Sequence, residues 1–336
     1  MSSKQQLGQF FTTNYAYILS NMNVPIGIEK IIEPFCGNGD LLNFIDKSKY
    51  SIECYDVDPK HDYVHRRDTL MDPPSNKNSF IITNPPYLAR NKSSHKEIFD
   101  KYDLNDLYKC FIKNLIHDSP IGGIIIIPLN FFCSIRTMDI ELRKSFLNTF
   151  VISQLNIFEE RVFVDTSITV CAFQFELRPN TPKSIPTTIY PSKRRMELLF
   201  NDANNYTIGG EIYKLPKAST ISRLLENGIP NTNLLLKCID DNDRSKIRLE
   251  CVGDDKIYYG KISSRTYATL VISPPIPIDI QKKVAEEFNE YLNGIREKYN
   301  SLFLTTYRES KTITRKRISF QLAYQIVNMI LEKNHS

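Results

Sequence analysis

The chain has 336 residues, of which 41% are hydrophobic, and this is enough for one large domain and a smaller one. Its formal net charge of +5 is too small to identify a partner by itself. Seven cysteines without a CxxC pair indicate a reducing compartment, and with only five histidines in the chain we expect no metal site. The first residues are polar and no apolar run could span a bilayer, so we expect a soluble, cytoplasmic protein.

Residues 7–13 form an aromatic segment that ends in two hydroxyl residues, Thr12 and Thr13. Either threonine could cap the helix that the apolar positions of residues 15–22 predict. Capping alone would explain this segment, and a loop that contacts a ligand would explain it equally well.

A strand over residues 28–32 runs into residues 33–40 (EPFCGNGD), and a helix that begins at Leu41 follows. Strand, glycine turn and helix form a dinucleotide-type binding unit, but the GxGxxG phosphate fingerprint is absent. Gly37 and Gly39 let a ligand approach the backbone closely. Because Glu33 and Asp40 bring negative charge there, the turn suits an ammonium or sulfonium group better than a pyrophosphate.

The next predicted strand, residues 51–55, ends at Asp56, where a carboxylate can bind the two hydroxyls of a ribose. Asp58 precedes a proline and is interpreted as a turn residue. Asp68 follows in a polar loop, where it could accept a hydrogen bond from an adenine amino group. An ordinary solvated loop carboxylate would fit Asp68 nearly as well.

The central motif of the chain is Asn84-Pro85-Pro86-Tyr87, which follows an apolar strand over residues 80–83. The two prolines fix φ twice and make a rigid, extended corner. The Asn84 amide oxygen and the Pro85 carbonyl could accept both protons of a planar NH2 group, and the Tyr87 ring could cover the face of that group. The alternative is a strand-ending turn with a core tyrosine.

The middle of the chain predicts a mobile polar loop over residues 88–106, in which Arg90, Lys92 and Lys96 could contact phosphate or only solvent. Helical spacing begins at Leu107, and four consecutive isoleucines in residues 124–127 predict a strand that is covered on both faces. A helix near residues 140–147 and a hairpin of two strands, 151–158 and 168–175, complete this half.

After residue 178, prolines punctuate a linker into short tyrosine-bearing strands, and a helix is predicted over residues 280–298. Residues 296–317 carry seven basic and two acidic residues with interleaved aromatics, a pattern that suits a nucleic-acid backbone. A solvated helix face is the alternative. The candidate DNA-binding residues are Lys193, Arg194, Arg195, Arg315, Lys316 and Arg317.

In this order the motifs resemble those of the gamma class of DNA amino-methyltransferases, which act on adenine N6 in restriction–modification systems. The similar stretches are residues 8–13, 33–40, 55–59, 68–69, 84–87, 122–128 and 162–163. The resemblance implies a Rossmann-like α/β domain in residues 1–178, with a mostly parallel sheet that has a terminal antiparallel strand. A smaller target-recognition region with C-terminal helices would occupy residues 179–336.

The resemblance also implies a function, the transfer of a methyl group from S-adenosylmethionine to N6 of a flipped adenine in a short duplex sequence. Catalysis would rest on Asn84, Pro85, Pro86 and Tyr87, and the flipped base would stack between Tyr87 and Phe163. Asp56 stands where relatives commonly have glutamate. The implied cofactor-binding residues are Phe11, Thr12, Glu33, Phe35, Gly37, Gly39, Asp56, Asp68, Thr69 and Asn84.

Double-stranded DNA is the implied partner, and a companion restriction endonuclease could act on the same site inside a prokaryotic or virus-infected cell. Residues 296–320 are similar to those of methyltransferases with four-base palindromic specificities such as CATG. The tetrapeptide also looks like that of enzymes that methylate ribosomal RNA amino groups or protein glutamines. A non-catalytic DNA-binding subunit with this fold is a further alternative. Residues 8–13 and the basic, tyrosine-rich C-terminal half favour DNA.

Overall fold

The computed structural model describes residues 12–163, 168–178, 184–241, 246–307 and 315–335, with backbone only for residues 305–307, 315 and 335. The chain divides into two compact units, Met1–Asn201 and Asp202–Ser336. Among the described residues, no helix combines the length and the apolar character needed to cross a membrane.

The first unit is built on a nine-stranded sheet with the order β3-β2-β1-β4-β5-β7-β6-β8-β9. Its first five strands in this order are parallel, and β7 runs antiparallel to both β5 and β6. This confirms the expected Rossmann-like, mostly parallel α/β fold. The strands are β1 (Lys30–Glu33), β2 (Ser51–Asp56), β3 (Val64–Arg66), β4 (Phe80–Thr83), β5 (Gly122–Pro128), β6 (Phe150–Phe158), β7 (Val170–Leu177), β8 (Ile185–Tyr190) and β9 (Arg194–Leu198).

Apolar residues explain why the centre of this sheet is stable. The four isoleucines of β5 are at most 1% exposed, as expected for a strand covered on both faces. Next to it, Phe146, Phe150, Phe173 and Phe175 form a cluster of edge-packed rings. The helices of this unit are α1 (Tyr15–Ile18), α2 (Glu97–Tyr102), α3 (Leu107–His117), α4 (Asn130–Cys133) and α5 (Thr137–Thr149).

Three local predictions were wrong. Residues Asp40–Phe44 form a short 3-10 helix rather than an α-helix, because the chain turns extended again at Ile45. Asn14, and neither predicted threonine, is the N-cap of the four-residue α1. The predicted mobile loop contains the 3-10 helix Arg90–Lys92 and α2.

Charged side chains order this last segment. Arg90 pairs with Asp100, and the Lys96 ammonium donates to the carbonyls of Arg90 and Ser93. Lys101 likewise donates to the carbonyls of Leu70 and Met71. The polar residues that suggested a solvated loop therefore satisfy backbone oxygens instead.

The segment after residue 178 extends the large sheet before the second unit begins. β8 pairs in parallel with β6, and β9 pairs antiparallel with β8, so residues 185–198 lie in the first unit. The boundary expected after residue 178 therefore falls between two strands of one sheet. The basic triplet lies on this β8–β9 hairpin, with Lys193 at φ +58° in the turn.

The second unit contains an antiparallel sheet of order β10-β13-β11-β12 and two long helices. Its helix α6 (Ile278–Lys298) buries Val284, Ala285, Phe288 and Leu292, which recur at helical spacing. The strands are β10 (Ile221–Arg223), β11 (Leu234–Lys237), β12 (Arg248–Cys251), β13 (Tyr267–Ile272), and the hairpin of β14 (Thr305–Tyr307) with β15 (Arg315–Arg317); the last helix is α7 (Phe320–His335).

Candidate active site

A cavity opens at the carboxyl ends of β1, β2 and β4, where ligands bind in open α/β sheets. Among the residues that line it, Glu33 is the last residue of β1, Asp56 is the last of β2, and Asn84 follows β4. Of the ten predicted cofactor-binding residues, eight line this first cavity: Thr12, Glu33, Phe35, Gly37, Asp56, Asp68, Thr69 and Asn84.

The other two predicted residues stand apart. Gly39 is not part of the lining; at φ +74° it makes the left-handed turn that begins the 3-10 helix, a conformation glycine adopts without strain. Phe11 lies outside the described residues.

Asp56 fixes the glycine loop over β1. Its Oδ2 accepts a hydrogen bond from the Gly37 amide at 2.8 Å, and its Oδ1 accepts one from the Asp58 amide at 2.9 Å. The Cys36 amide donates to the Tyr55 carbonyl at 2.9 Å, so two bonds join the loop to the end of β2. Each carboxylate oxygen retains lone-pair capacity for a ligand hydroxyl.

Glu33 is the strongest electrostatic signal of the first cavity. The residue is 1% exposed, and neither carboxylate oxygen has a hydrogen-bond partner among the described residues. Burial raises the pKa of Glu33 well above its usual value, and the neighbouring Cys36, Asp56 and Asp40 raise it further, while the Thr83 hydroxyl opposes them. Buried charged groups are normally paired, so a ligand with a positive charge would supply the partner that this carboxylate lacks.

Asp68 and Thr69 join a second loop to the cavity. Asp68 Oδ1 accepts from the amides of Leu70 at 3.0 Å and Met71 at 3.1 Å, and no hydrogen bond to its Oδ2 is found within the described part of the chain. The buried Thr69 hydroxyl donates to the Pro34 carbonyl at 2.9 Å. Thr69 therefore positions the loop, while Asp68 keeps one oxygen for a ligand.

The tetrapeptide forms a wall between two cavities. Asn84 and Pro86 line the first cavity, whereas Tyr87 lines a second one of about 840 Å³. Asn84 Nδ2 donates to the Thr12 hydroxyl at 3.0 Å. The Tyr87 hydroxyl bonds to Asn84 Oδ1 and, at 2.9 Å, to the Ile126 carbonyl.

Tyr87 is more buried than an open stacking surface would be, with 6% of the residue exposed. Its ring packs edge-on against Tyr108 with 6.2 Å between the ring centroids. Burial raises its pKa well above 10, so the hydroxyl keeps its proton at any physiological pH. Phe163 is buried at 4% exposure and is not among the residues that line the second cavity.

The second cavity combines a buried lysine with a basic mouth. The Lys109 side chain lines the cavity, and its ammonium lies 2.5 Å from the buried Asp139 Oδ1, to whose Oδ2 the Ser134 hydroxyl donates at 2.6 Å. Lys92 and Arg136 lie at the mouth and are exposed. The charged residues that line this cavity are Arg90, Lys92, Lys96, Asp106, Lys109 and Arg136.

The sequence predictions missed this second cavity as a unit, because its residues come from four separate segments. The sequence predicts Arg90, Lys92 and Lys96 only as loop cations, and no motif in it marks Asp106, Tyr108 or Arg136. Asp106 directly precedes a predicted helix, where an N-cap is the ordinary interpretation, yet its side chain makes no cap hydrogen bond.

The predicted DNA-binding residues do not form one cluster within either unit. Lys193, Arg194 and Arg195 belong to the first unit, and Lys316 and Arg317 lie on β15 of the second. The side chain of Arg315 lies outside the described residues. Within the described part of the chain, no group of three or more His, Cys, Asp or Glu residues could hold a metal ion.

Residues 28–163 match the family model of the Eco57I restriction-modification methylase, which is less than half of the chain. No curated protein matches the sequence. The matched segment contains the glycine loop, Asp56, the tetrapeptide and Lys109.

Solved structures with similar folds include a modification subunit of a proposed type I restriction enzyme from Vibrio vulnificus YJ016, at 14% identity and TM-score 0.44, covering 60% of this chain and 50% of that one. The type I methyltransferase subunit from Streptococcus thermophilus gives 14% and 0.41, covering 59% and 52%. A proposed class I S-adenosylmethionine-dependent methyltransferase from Listeria monocytogenes gives 15% and 0.42, covering 56% and 67%. The chain spans about half the length of the first two.

The methylase family match supports S-adenosylmethionine as the cofactor, and the chemistry of the first cavity fits it. The unpartnered Glu33 carboxylate suits the positive charges of the ammonium and sulfonium groups, and Asp56 and Asp68 offer oxygens to the ribose hydroxyls and the adenine amine.

Proposed function

We propose that the protein is a site-specific DNA methyltransferase that transfers a methyl group to N6 of an adenine flipped out of duplex DNA. The observation that carries the proposal is the position of the tetrapeptide: Asn84 and Pro86 line the first cavity and Tyr87 lines the second. The amide and carbonyl acceptors of the tetrapeptide therefore lie between the two cavities. A methyltransferase has to bring its methyl donor and the accepting amine together at such a position.

When bound, S-adenosylmethionine supplies an electrophilic methyl group on a sulfonium. The chain's own task is to orient a poor nucleophile, because the lone pair of an aromatic amine is delocalised into its ring. Asn84 Oδ1 and the Pro85 carbonyl accept the two N–H protons and pull the nitrogen towards a tetrahedral shape. Tyr87 can keep its bond to the Ile126 carbonyl at 2.9 Å, which leaves Asn84 Oδ1 to the substrate. These acceptors also stabilise the positive charge that develops on nitrogen.

The second cavity has to supply enough binding energy to offset the cost of flipping the base. Extrusion of a base costs a few kcal/mol, and each aromatic contact returns about 1–3 kcal/mol. Tyr87 provides one such contact in the proposal. Phe163 remains the proposed second contact, and it would have to reach the base from outside the lining seen in this conformation.

Basic residues support DNA as the partner. Lys92 and Arg136 stand at the mouth of the second cavity, where the sugar–phosphate backbone of a flipped nucleotide would pass. Lys193, Arg194, Arg195, Lys316 and Arg317 are proposed as further backbone contacts, and the second unit as the reader of the target sequence. We further propose that the enzyme belongs to the gamma class and that its target is a short palindrome such as CATG. A companion endonuclease would cut the same site.

The test is transfer of a labelled methyl group from S-adenosylmethionine, offered in parallel to unmethylated duplex DNA, ribosomal RNA and a release-factor protein. We expect label in DNA as N6-methyladenine, and sequencing of the product then maps the recognition site. Asn84→Ala should abolish transfer to DNA while cofactor binding persists. Label only in RNA or protein would overturn the choice of substrate, and bound cofactor without any transfer would indicate a non-catalytic subunit.

A further inference from the structure

The first turn of α3 stands between the two cavities, as the tetrapeptide does. Leu107 lines the first cavity, while its neighbours Asp106 and Tyr108 line the second. The Leu107 amide donates to the Leu88 carbonyl at 3.2 Å, and Ala89 and Asp106 form an antiparallel bridge. Backbone bonds therefore hold Asp106 beside the residues that directly follow Tyr87.

Two buried oxygens in this turn lack a hydrogen-bond partner in the described part of the molecule. Tyr108 is 2% exposed, and its hydroxyl makes no hydrogen bond. Oδ1 of Asp106 is likewise buried and without a partner. Buried polar atoms are nearly always paired, so two unpartnered oxygens on residues that line one cavity indicate a polar ligand that completes them.

Three of the five cations that line this cavity are engaged by other groups. Lys109, the nearest cation on α3, is held by Asp139 at 2.5 Å and by Asn105 Oδ1 at 2.9 Å. Arg90 pairs with Asp100. The remaining cations that line the cavity are Lys92 and Arg136, which are exposed at its mouth, and Lys96, whose ammonium donates to two carbonyls.

The two unpartnered oxygens differ in hydrogen-bonding character. Burial raises the pKa of Tyr108 well above 10, so its hydroxyl remains a donor. Burial also raises the pKa of Asp106 to about 6, although Lys109 and the neighbouring amides oppose this. Asp106 is therefore mostly ionised, and an acceptor, at pH 7.5.

We propose that Asp106 and Tyr108 form an acceptor–donor pair that binds the target base. Asp106 shares one of the two amino protons with Asn84 Oδ1 or the Pro85 carbonyl, and Tyr108 donates to a neighbouring ring nitrogen. This inference rests on the proposed function and adds two residues to it. The ligand class is an amino-substituted heteroaromatic ring, and in adenine the pair matches the amino group together with N1 or with N7.

Asp106 can also accept the proton that the amine loses after methyl transfer. The lone pair of the amine nitrogen forms the new nitrogen–methyl bond, and the methyl–sulfur bond breaks with its electron pair passing to sulfur. The nitrogen then carries a positive charge, and its proton moves to the Asp106 carboxylate. The products are the N-methylamine, a neutral thioether and a carboxylic acid, which solvent deprotonates before the next turnover.

The first test uses base analogues at the mapped target position. 1-Deazaadenine and 7-deazaadenine each remove one ring nitrogen and keep the amino group. We expect wild-type kcat/KM to fall about tenfold on one of the two analogues, the value of one hydrogen bond. Tyr108→Phe should lose about tenfold on adenine and nothing further on that same analogue. If the variant remains as sensitive to both analogues as the wild type, the role of Tyr108 is refuted.

The second test uses pH. Because Asp106 acts in its ionised form, wild-type kcat should fall as pH drops through about 6. Asp106→Asn should retain cofactor and DNA binding, lose about a hundredfold in kcat and lack this acid limb. Asp103→Asn removes an exposed carboxylate three residues earlier and serves as the control, with wild-type rates.

The two levels of the proposal fail in different ways. An acid limb that persists unchanged in Asp106→Asn, with the wild-type enzyme active on adenine, overturns the inference and leaves the proposed function intact. Wild-type protein that labels no DNA overturns both.

Discussion

Replacement of Glu33 by glutamine should make the ligand-free protein more stable and the cofactor weaker. Glu33 is 1% exposed, its carboxylate has no partner within the described residues, and its pKa is raised well above the ordinary value, mainly by burial. A group whose folded pKa exceeds its unfolded pKa contributes its full stability below the unfolded value. That contribution is lost as pH rises through the folded value.

The magnitude follows from this linkage. Each pKa unit of difference is about 1.4 kcal/mol, which in a domain of this size shifts Tm by about 4 °C. We therefore expect the Tm of the ligand-free wild type to decline from pH 5 towards alkaline pH, and the Tm of Glu33→Gln to be higher and less dependent on pH. Thermal denaturation over this pH range measures both. The exposed Glu29 provides the matched control, since Glu29→Gln should leave the profile unchanged.

Cofactor binding gives an independent reading of the same group. A cation placed against Glu33 lowers its pKa again, so binding should release up to one proton, seen as a binding enthalpy that depends on the ionisation enthalpy of the buffer. Glu33→Gln should weaken S-adenosylmethionine binding by at least about tenfold and abolish that proton release. S-Adenosylhomocysteine keeps the ammonium group but lacks the sulfonium charge. Its affinities for the wild type and for Glu33→Gln therefore show which of the two cations interacts with Glu33. Equal affinities for wild type and variant, with no proton released by either, would refute the reasoning.

Two further predictions concern the second cavity. Lys109→Met leaves Asp139 buried with only the Ser134 hydroxyl, so it should lower the free energy of unfolding in denaturant titrations by about 3–5 kcal/mol, and Lys109→Met/Asp139→Leu should recover part of the loss. Lys92→Ala and Arg136→Ala should each reduce the slope of log affinity for DNA against log salt by about one, with an unchanged slope contradicting a backbone contact.

The first cavity could be predicted from sequence because its residues come from strand ends. A parallel sheet brings the carboxyl ends of neighbouring strands to one edge, so Glu33, Asp56 and Asn84 had to lie close together once β1, β2 and β4 were recognised. Gly37 and Gly39 were informative for the same local reason, since both have positive φ. What local pattern did not reveal was that Gly39 shapes the loop without lining the cavity.

The second cavity escaped prediction because it depends on where a polar connection returns. Residues 88–106 looked like a solvated loop, yet Arg90 donates its amide to the Asn105 carbonyl at 2.9 Å, and this brings the start of α3 back beside the tetrapeptide. An aspartate before a helix then has two possible uses, a cap or a ligand contact, and sequence spacing does not distinguish them. The buried Oδ1 of Asp106, which has no partner in the described part of the chain, favours the second. Asp106 is held where the methyl acceptor of the proposed reaction would sit, and the same backbone bonds that close the loop keep it there.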